Sequence, residues 1–386
     1  MASLIRQRAG STAQMLDAFG DASLLTAALA FESALARAQA AEGLLASQTA
    51  EAIAQACEEP FDIQQLAEAA AHAGTLAIPL VAELRVRVGR RDTQAAAAVH
   101  RGATSQDLDD TVLMLQSKAG LDLLRRDQLR VIEALATLAR THAGAPMLAR
   151  TLLQPAAATT FGLKAAQWRL SVIEASRRIQ REGDAALSLQ LGGAVGTLAG
   201  QDGRGSYVAQ RMAKELGLGA PIAPWHARRE GLAGLGAALA ILTGAVAKIA
   251  RDVALLAQAG IAEAREPRVP GRGGSSIMSH KRNPTSCQVA LSASLRTPHL
   301  AAALMSAAPG EHERGLGGWQ AQAPVLAELF ELSHGAVAAV ADVAEGLEVD
   351  VAAMARNLAA ADVGDDLGEA EALTHRLLEE PATECR

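Results

Sequence analysis

One polar loop carries most of the side chains that could do chemistry in this sequence. Residues 273–284 read GGSSIMSHKRNP, whereas the surrounding sequence is dominated by alanine and leucine. The two glycines allow backbone angles that are closed to other residues, so the loop can present N–H groups to a ligand. Two serine hydroxyls, Lys281, Arg282 and the Asn283 amide follow them. Such a set suits the binding of a carboxylate and the stabilisation of negative charge on it.

Two other interpretations of this loop are a phosphate-binding loop and an ordinary surface turn. The phosphate-loop patterns GxxxxGKS and GxxxxGKT are not matched, and no strand is predicted before the loop. A surface turn rarely concentrates so many polar and charged side chains in so few positions. The sequence therefore favours a binding site for an acid.

Long helices must position this loop, because the composition offers little else. Half of the 386 residues are hydrophobic but only 2% are aromatic, so the core is built from small aliphatic side chains that let helices approach closely. Apolar residues recur every three or four positions from Asp107 to about Ala143, which predicts a helix far above average length. No strand is predicted. Further long helices are predicted at about 155–189, 224–259, from 285 onward and at 323–348, which together make an all-α helix bundle.

Charge and cysteine content narrow the class of partner. The net charge of −6 gives no basic field for nucleic acid, so any anionic substrate must be drawn by a local cationic site. The three cysteines are far apart and predict no disulfide framework, which favours a reducing cytoplasm. The N-terminus has no apolar core typical of a secretion signal. No metal-binding pattern such as HExxH occurs, so we expect neither a metal nor a cofactor.

One uncharged stretch tests the expectation of a protein without a membrane span. Residues 231–247 contain no charged side chain. A membrane span usually needs about 20 apolar residues, whereas this stretch is shorter, contains glycines and is followed by Lys248, Arg251 and Asp252. A helix buried on all sides within a large bundle fits these features better.

The polar loop closely resembles the signature loop of the fumarase/aspartase superfamily, usually written GSSxMPxKxNP. Ser279 stands where that family usually has proline. GATSQDLDDT at 102–111 and ARTLLQPAAATTFG at 149–162 resemble the two other conserved regions of the family. The resemblance extends from about residue 74 to about residue 320. In the loop, the matched positions are Gly274, Ser275, Ser276, Met278, Lys281, Asn283 and Pro284.

This resemblance implies a helical homotetramer of three-domain subunits, in which four long five-helix bundles form a core of twenty helices. In this chain the N-terminal helical domain would be residues 1–106, the central bundle 107–348 and a short C-terminal domain 349–386. Each active site would draw its three conserved regions from three different subunits. We therefore expect a small-molecule substrate, other copies of the chain as partners, and neither nucleic acid nor a membrane.

The resemblance also implies a reaction in which a proton next to a carboxylate moves and the carbanion is held as an enolate-like dianion. Ser275 would act as the base, and Lys281 and Asn283 would hold the carboxylate. Serine is a poor base at its ordinary pKa, so nearby positive charge must activate it. The second conserved region of the family typically contains Thr-His, but here Thr151 is followed by Leu152, so the histidine is absent.

A leaving group that needs no acid catalyst accounts for this departure from the family pattern. A departing carboxylate has a conjugate acid with a pKa near about 4, so it can leave as an anion, as in the opening of a lactone to a diene. Four segments resemble the lactone-forming cycloisomerases of the superfamily, which act in the protocatechuate branch of aromatic degradation. These segments are 74–84, 150–168, 224–230 and 312–320.

We therefore predict a cycloisomerase in which a carboxylate of an unsaturated tricarboxylate adds to a double bond of the same molecule. Asp107 is expected to cap the helix that follows it rather than to bind substrate. The alternatives are another lyase, above all adenylosuccinate lyase, and a non-catalytic structural relative, against which the intact loop argues. Besides the loop residues Ser276 and Met278, the predicted substrate-binding residues are Thr104, Ser105, Gln106, Arg150, Thr151, Gln154, Arg229, His312 and Arg314.

Overall fold

The N-terminal part of the structure, a computed structural model that describes residues 3–274, 277–278 and 281–382, consists of one helix of 21 residues and several shorter ones. Gly74 ends the fifth helix in the left-handed conformation (φ 78°), which glycine adopts without steric cost. Pro79 lies in the first turn of the next helix, where its missing N–H costs no hydrogen bond. The helices are α1 (Leu4–Arg8), α2 (Ala13–Ala18), α3 (Asp21–Ala41), α4 (Ser47–Cys57), α5 (Ile63–Ala73) and α6 (Ala77–Arg91), followed by a short 3-10 helix at Ala95–Ala98.

Five long helices form the centre of the described structure, and their apolar faces share one continuous core. Small residues allow the helices to approach closely: a Cβ on Gly236 would lie 2.3 Å from the Leu304 side chain. The helical fold class predicted from the sequence is confirmed. The long helices are α7 (Ser105–Thr141), α8 (Phe161–Ala186), α10 (Glu230–Leu256), α11 (Thr285–Ser306) and α12 (Gly318–Glu345), and the shorter α9 (Gly205–Leu216) lies between α8 and α10 in the chain.

Two antiparallel strands correct the prediction that the chain has no strand and that a helix follows Pro155. Strand β1 (Pro146–Thr151) pairs with β2 (Gln154–Thr160), with an irregularity in register where Pro155 pairs with Arg150. The alanine-rich sequence of β2 lacks alternating β-branched residues, so it resembles a helix when taken alone. Helix α8 begins only after Thr160, whose hydroxyl accepts from the N–H of Leu163 at 3.1 Å. A second, two-residue ladder joins β3 (Ala264–Arg265) to β4 (Glu348–Val349).

The path of the chain gives the bundle two ends, which we name the α7 start and the α7 end. At about 1.5 Å per residue, the 37 residues of α7 span about 55 Å. The loops before α7, before α10 and before α12 lie at the α7 start, where Arg314 contacts Thr104. The β1–β2 hairpin and the loop 257–284 lie at the α7 end, where Arg272 pairs with Asp342 near the end of α12 at 3.1 Å.

Two further helices, α13 (Val351–Ala361) and α14 (Ala370–Leu378), pack at the α7 end. Arg169 of α8 donates to the carbonyl oxygens of Leu377 (3.1 Å) and Glu380 (2.9 Å), which attaches the chain after α14 to the bundle. By length and composition, α10, α12 and the stretch Ala13–Ala41 are apolar enough to cross a membrane. In the apolar windows of α10 and α12, 56% of the residues are buried by this chain, so part of that surface is left uncovered.

Candidate active site

A buried carboxylate organises the α7 start. Asp107 accepts hydrogen bonds from the backbone N–H groups of Thr104 (3.0 Å), Gly192 (2.9 Å) and Gly193 (2.9 Å), and His226 Nε2 lies 2.7 Å from its Oδ1. The bond from Thr104 is part of a capping box in which Thr104 is the N-cap and Asp107 the third residue of α7, so Asp107 takes part in capping from within the helix and not, as predicted, from the position before it. One side chain thereby fixes three segments that are far apart in sequence.

An exposed guanidinium, that of Arg314, lies beside this framework. Its Nη1 donates to the Thr104 hydroxyl at 2.5 Å, so two of the matched segments meet at the first turn of α7. Ser105, the first residue of α7, is partly exposed, and His312 is exposed. The free N–H groups of a helix start and a nearby guanidinium both favour an anion such as a carboxylate. Thr104, Ser105 and Arg314 thus lie together and accessible at the α7 start, and their binding of a substrate carboxylate stays a prediction.

Two residues predicted to bind substrate are instead buried in the framework. Both terminal nitrogens of Arg229 donate to the Asp110 carboxylate (2.7 and 2.8 Å) and its Nε donates to Gln322 Oε1 (2.7 Å), which leaves 3% of the side chain exposed. Gln106 is fully buried, and its amide donates to Asp110 (3.2 Å) and to the His226 carbonyl (3.1 Å). These donors join α7 to the starts of α10 and α12, and the prediction that they contact substrate stays a prediction.

Arg150, at the α7 end, also forms an ion pair with a carboxylate. Its guanidinium donates to both oxygens of the buried Glu263 (2.9 and 2.8 Å), which also accepts from the Asn357 amide (2.7 Å). A bidentate pair of this kind fixes the orientation of both groups. The Arg150 side chain remains 22% exposed, so it presents one edge, and not a free cation, to a ligand.

The tip of the β1–β2 hairpin has an unfavourable conformation. Leu152 and Leu153 both have positive φ (51° and 65°), which the tight hairpin turn requires and which leucine rarely adopts. Their side chains are 96% and 73% exposed. Thr151 and Gln154, both predicted to bind substrate, flank the tip and are exposed. Strained backbone and exposed apolar side chains at one tip are typical of a contact surface.

The two ends of the polar loop are joined by Asn283. Its backbone N–H donates to the Gly273 carbonyl (2.8 Å), and its side-chain amide donates to the Gly274 carbonyl (3.4 Å). Gly273 has a φ of 73°, and a Cβ there would lie 2.6 Å from the Asn283 carbonyl oxygen, so glycine is required. Lys281 and Met278 are exposed. Ser275, Ser276, Ser279 and His280 lie outside the described residues, and the roles predicted for Ser275 and Ser276 stay predictions.

Two carboxylates anchor the loop to the bundle. Arg282 donates to both oxygens of Glu348 (2.8 and 2.7 Å), while Glu266 accepts from the N–H groups of Ser286 (3.2 Å) and Cys287 (2.7 Å) at the start of α11. Burial and the adjacent Glu266 raise the pKa of the Cys287 thiol. Cys287 is therefore a protonated structural residue and not a thiolate nucleophile at neutral pH.

The predicted site residues divide between the two ends of the bundle. Thr104, Ser105, His312 and Arg314 lie at the α7 start, whereas Arg150, Thr151, Gln154, Lys281 and Asn283 lie at the α7 end. Sequence analysis missed the contact between His226 and Asp107, although both residues lie in segments that match the superfamily. The signal available in the sequence was that both residues lie in matched segments, but their spacing gave no indication that the two side chains touch.

Comparison with known proteins supports the family that the loop suggests. The family model described as a lyase matches residues 7–297. A 3-carboxy-cis,cis-muconate cycloisomerase from Bradyrhizobium diazoefficiens is 48% identical over 370 residues, which cover 96% of this chain and 81% of the relative. A nitrosuccinate lyase from Streptomyces davaonensis is 41% identical over 360 residues, which cover 91% of this chain and 75% of that relative.

A solved structure has the same fold. The crystal structure of 3-carboxy-cis,cis-muconate lactonizing enzyme from Pseudomonas putida matches with a TM-score of 0.87 and 38% identity, covering 92% of this chain and 79% of that one. The helical architecture therefore agrees with the resemblance found in the sequence. The chain belongs to the lyase family, whose fumarase/aspartase signature its polar loop carries.

Proposed function

We propose that this protein is a 3-carboxy-cis,cis-muconate cycloisomerase, which interconverts 3-carboxy-cis,cis-muconate and carboxymuconolactone in the protocatechuate (β-ketoadipate) branch of aromatic degradation. The observation that carries the proposal is the 48% identity to such a cycloisomerase over nearly the whole chain. The hairpin tip supports it, because the exposed Leu152 stands where other lyases of the superfamily typically have a histidine.

The lactone-forming reaction makes one C–O bond within a single substrate molecule and takes up one proton from a donor in the site. In the lactone-forming direction, a carboxylate oxygen bonds to the carbon β to a second carboxylate. The π electrons move to the carbon beside that second carboxylate and give an enolate-like dianion, which then accepts a proton. In the reverse direction a base removes this proton, and the ring carboxylate departs without the help of an acid.

The residues of the two bundle ends divide this work. Lys281 stabilises the dianion with its ammonium group, and Ser275 acts as the base of the reverse reaction. Asn283, which joins the ends of the loop, keeps Lys281 in place. At the α7 start, Thr104 and Arg314 hold a carboxylate that does not react.

Such a site requires other copies of the chain. The two bundle ends are about 55 Å apart in one subunit, so Arg314 and Lys281 meet only across a subunit boundary. The exposed leucines of the hairpin tip and the uncovered apolar surface of α10 and α12 support an assembly. We infer a homotetramer with shared active sites in the cytoplasm, where the free thiols of Cys57 and Cys287 persist.

A spectrophotometric assay of the purified protein tests this function with 3-carboxy-cis,cis-muconate, adenylosuccinate and nitrosuccinate. Nitrosuccinate is included because one relative is a nitrosuccinate lyase, and because nitrite is a stable anion that also needs no acid to leave. We expect loss of diene absorbance with the first substrate and no turnover of the other two. Turnover of adenylosuccinate or nitrosuccinate alone would contradict the proposal, and no turnover of any substrate would favour a non-catalytic relative.

A further inference from the structure

A cavity beside the α7 start contains two polar groups that the proposed reaction leaves unassigned. Its volume is about 380 Å³, and its walls are mostly apolar side chains, among them Phe19, Leu76 and Trp319. Asp109 and Gln116 both border the cavity. They are two helical turns apart on one face of α7, a distance of about 10 Å along the helix.

The cavity begins about one helical turn from the contact between Thr104 and Arg314. Asp109 lies one turn after Ser105 on the same face of α7, about 6 Å along the helix. Trp319, which forms another wall, follows Arg314 by a few residues. An acid whose one carboxylate is held at the α7 start therefore has the cavity directly beside it.

Both polar groups have free hydrogen-bonding capacity. Asp109 Oδ2 accepts from the Thr75 hydroxyl at 2.8 Å, and no described residue bonds to its Oδ1. Gln116 is 5% exposed, and its Nε2 has no partner among the described residues. A buried donor without an acceptor costs free energy, so this amide is available to a ligand that carries one.

No cation in the described lining of the cavity is available to neutralise Asp109. Asp110 is the other acidic residue of the lining, and Arg229 already pairs with it. His100 approaches from the loop before α7 but lies 2.5 Å from Glu32 of α3. The neighbouring groups from the α5–α6 turn and from α12, namely Thr75, Trp319 and Gln320, are uncharged. An ionised Asp109 would therefore repel an incoming carboxylate.

We propose that Asp109 works in its protonated form, as a hydrogen-bond donor to a carboxylate of the bound acid, and that the cavity is a specificity subsite for that acid. Gln116 supplies a second donor at the far end of the subsite. The inference rests on the proposed function only for the identity of the acid.

The electrostatic surroundings of Asp109 favour this protonated form. Burial raises the pKa of Asp109 to about 6, with a further increase from Asp110, while the Thr75 hydrogen bond and His100 act in the opposite direction. The carboxyl group is protonated below this value and ionised above it. Binding of a polycarboxylate should therefore weaken as the pH rises through about 6.

The test is a calorimetric titration with tricarballylate, a saturated tricarboxylate that cannot react. Wild type and Asp109→Asn are compared at about pH 5.5 and about pH 7.5, so that ionisation of the ligand cancels in the ratio of their dissociation constants. If only the protonated form binds, wild-type affinity falls about 25-fold relative to Asp109→Asn over this interval. Asp122→Asn, an exposed substitution on the same helix, is the matched control and should follow wild type.

A ratio of dissociation constants that stays constant with pH would overturn the inference. This holds also if Asp109→Asn unfolds more easily than wild type, because lower stability alone does not make the ratio depend on pH in the predicted way. The titration does not depend on turnover, so it distinguishes the two proposals. Failure to convert 3-carboxy-cis,cis-muconate would reject the function alone, whereas a flat ratio in an active enzyme would reject the role of Asp109 alone.

Thr75→Val sharpens the assignment. It removes the hydroxyl that donates to Asp109 and stabilises the ionised form, so the pKa of Asp109 should rise. The midpoint of the pH-dependent loss of affinity should then move to higher pH, with thermal unfolding monitored to confirm that the fold persists. An unmoved midpoint would assign the titration to another group and contradict the inference.

Discussion

The α7 start and the α7 end each contain an arginine–carboxylate pair, and the two pairs differ in exposure. At the α7 start the ion pair of Arg229 with Asp110 is buried, with 3% of each side chain exposed. At the α7 end the ion pair of Arg282 with Glu348 is 25% and 49% exposed, and the hairpin tip projects into solvent. The first pair therefore belongs to a fixed frame of buried polar groups, whereas the second pair and the hairpin tip are accessible from outside the chain.

The largest loss of stability should come from breaking the buried ion pair of Arg229 with Asp110. Asp110→Asn leaves the buried Arg229 opposite a neutral side chain, which should lower the free energy of unfolding by about 3–5 kcal/mol. Denaturant unfolding measures this loss. Glu348→Gln is the matched control at the other end and should cost less than about 1 kcal/mol, because exposed ion pairs contribute little. Equal losses in the two variants would remove the contrast between the ends.

A smaller free-energy effect, confined to catalysis, should follow from Lys281→Met. If the Lys281 ammonium stabilises the dianion as we propose, its loss should lower kcat about 100- to 1,000-fold. The unfolding free energy should hardly change, because Lys281 is exposed in the chain. Lys214→Met, another exposed lysine, serves as the control and should retain wild-type kcat. A loss of stability that matches the loss of turnover would show that Lys281 supports the fold and does not act in catalysis.

The smallest effect should come from the hairpin tip. Leu153→Gly relieves a left-handed leucine, a gain of about 1 kcal/mol, but it removes a side chain whose burial against another copy would contribute about 1.5–3 kcal/mol. The backbone penalty is present in the separate chain as well, so its relief cancels from the assembly equilibrium. We therefore expect assembly to weaken by about 1.5–3 kcal/mol, measured by the concentration dependence of the oligomer in sedimentation. Leu153→Ala, which keeps the backbone penalty, should weaken assembly by a similar amount. Unchanged assembly in both variants would show that the tip has no partner.

Local signals in the sequence were sufficient for much of the helical architecture. The three-and-four spacing of apolar residues predicted α7, which begins at Ser105, two residues before the expected start. Pro284 marked the start of α11 at Thr285. The β1–β2 hairpin was not predicted, because its alanine-rich second strand is specified by pairing with β1 and not by its own composition.

The site was predictable as a set of segments but not as a set of contacts. Arg229 and Gln106 lie in segments that match the superfamily. The partners of Arg229, Asp110 and Gln322, are distant from it in sequence. Gln106 bonds to the nearby Asp110, but its burial results from packing that no local pattern encodes. The free Oδ1 of Asp109 is equally invisible in the sequence, since its meaning depends on the cavity beside it. Burial decides whether a polar residue can bind a ligand or instead holds other residues in place, and burial is a property of the whole fold.

Complementation between two inactive variants tests the shared site most directly. Arg314→Met removes a group of the α7 start, and Lys281→Met removes one of the α7 end, so each homo-oligomer should have little activity. Co-assembly of the two chains in equal amounts should restore activity in about a quarter of the sites, because some sites then receive both native groups from different subunits. Mixed oligomers verified by native mass spectrometry that remain as inactive as their parents would contradict a site shared between chains.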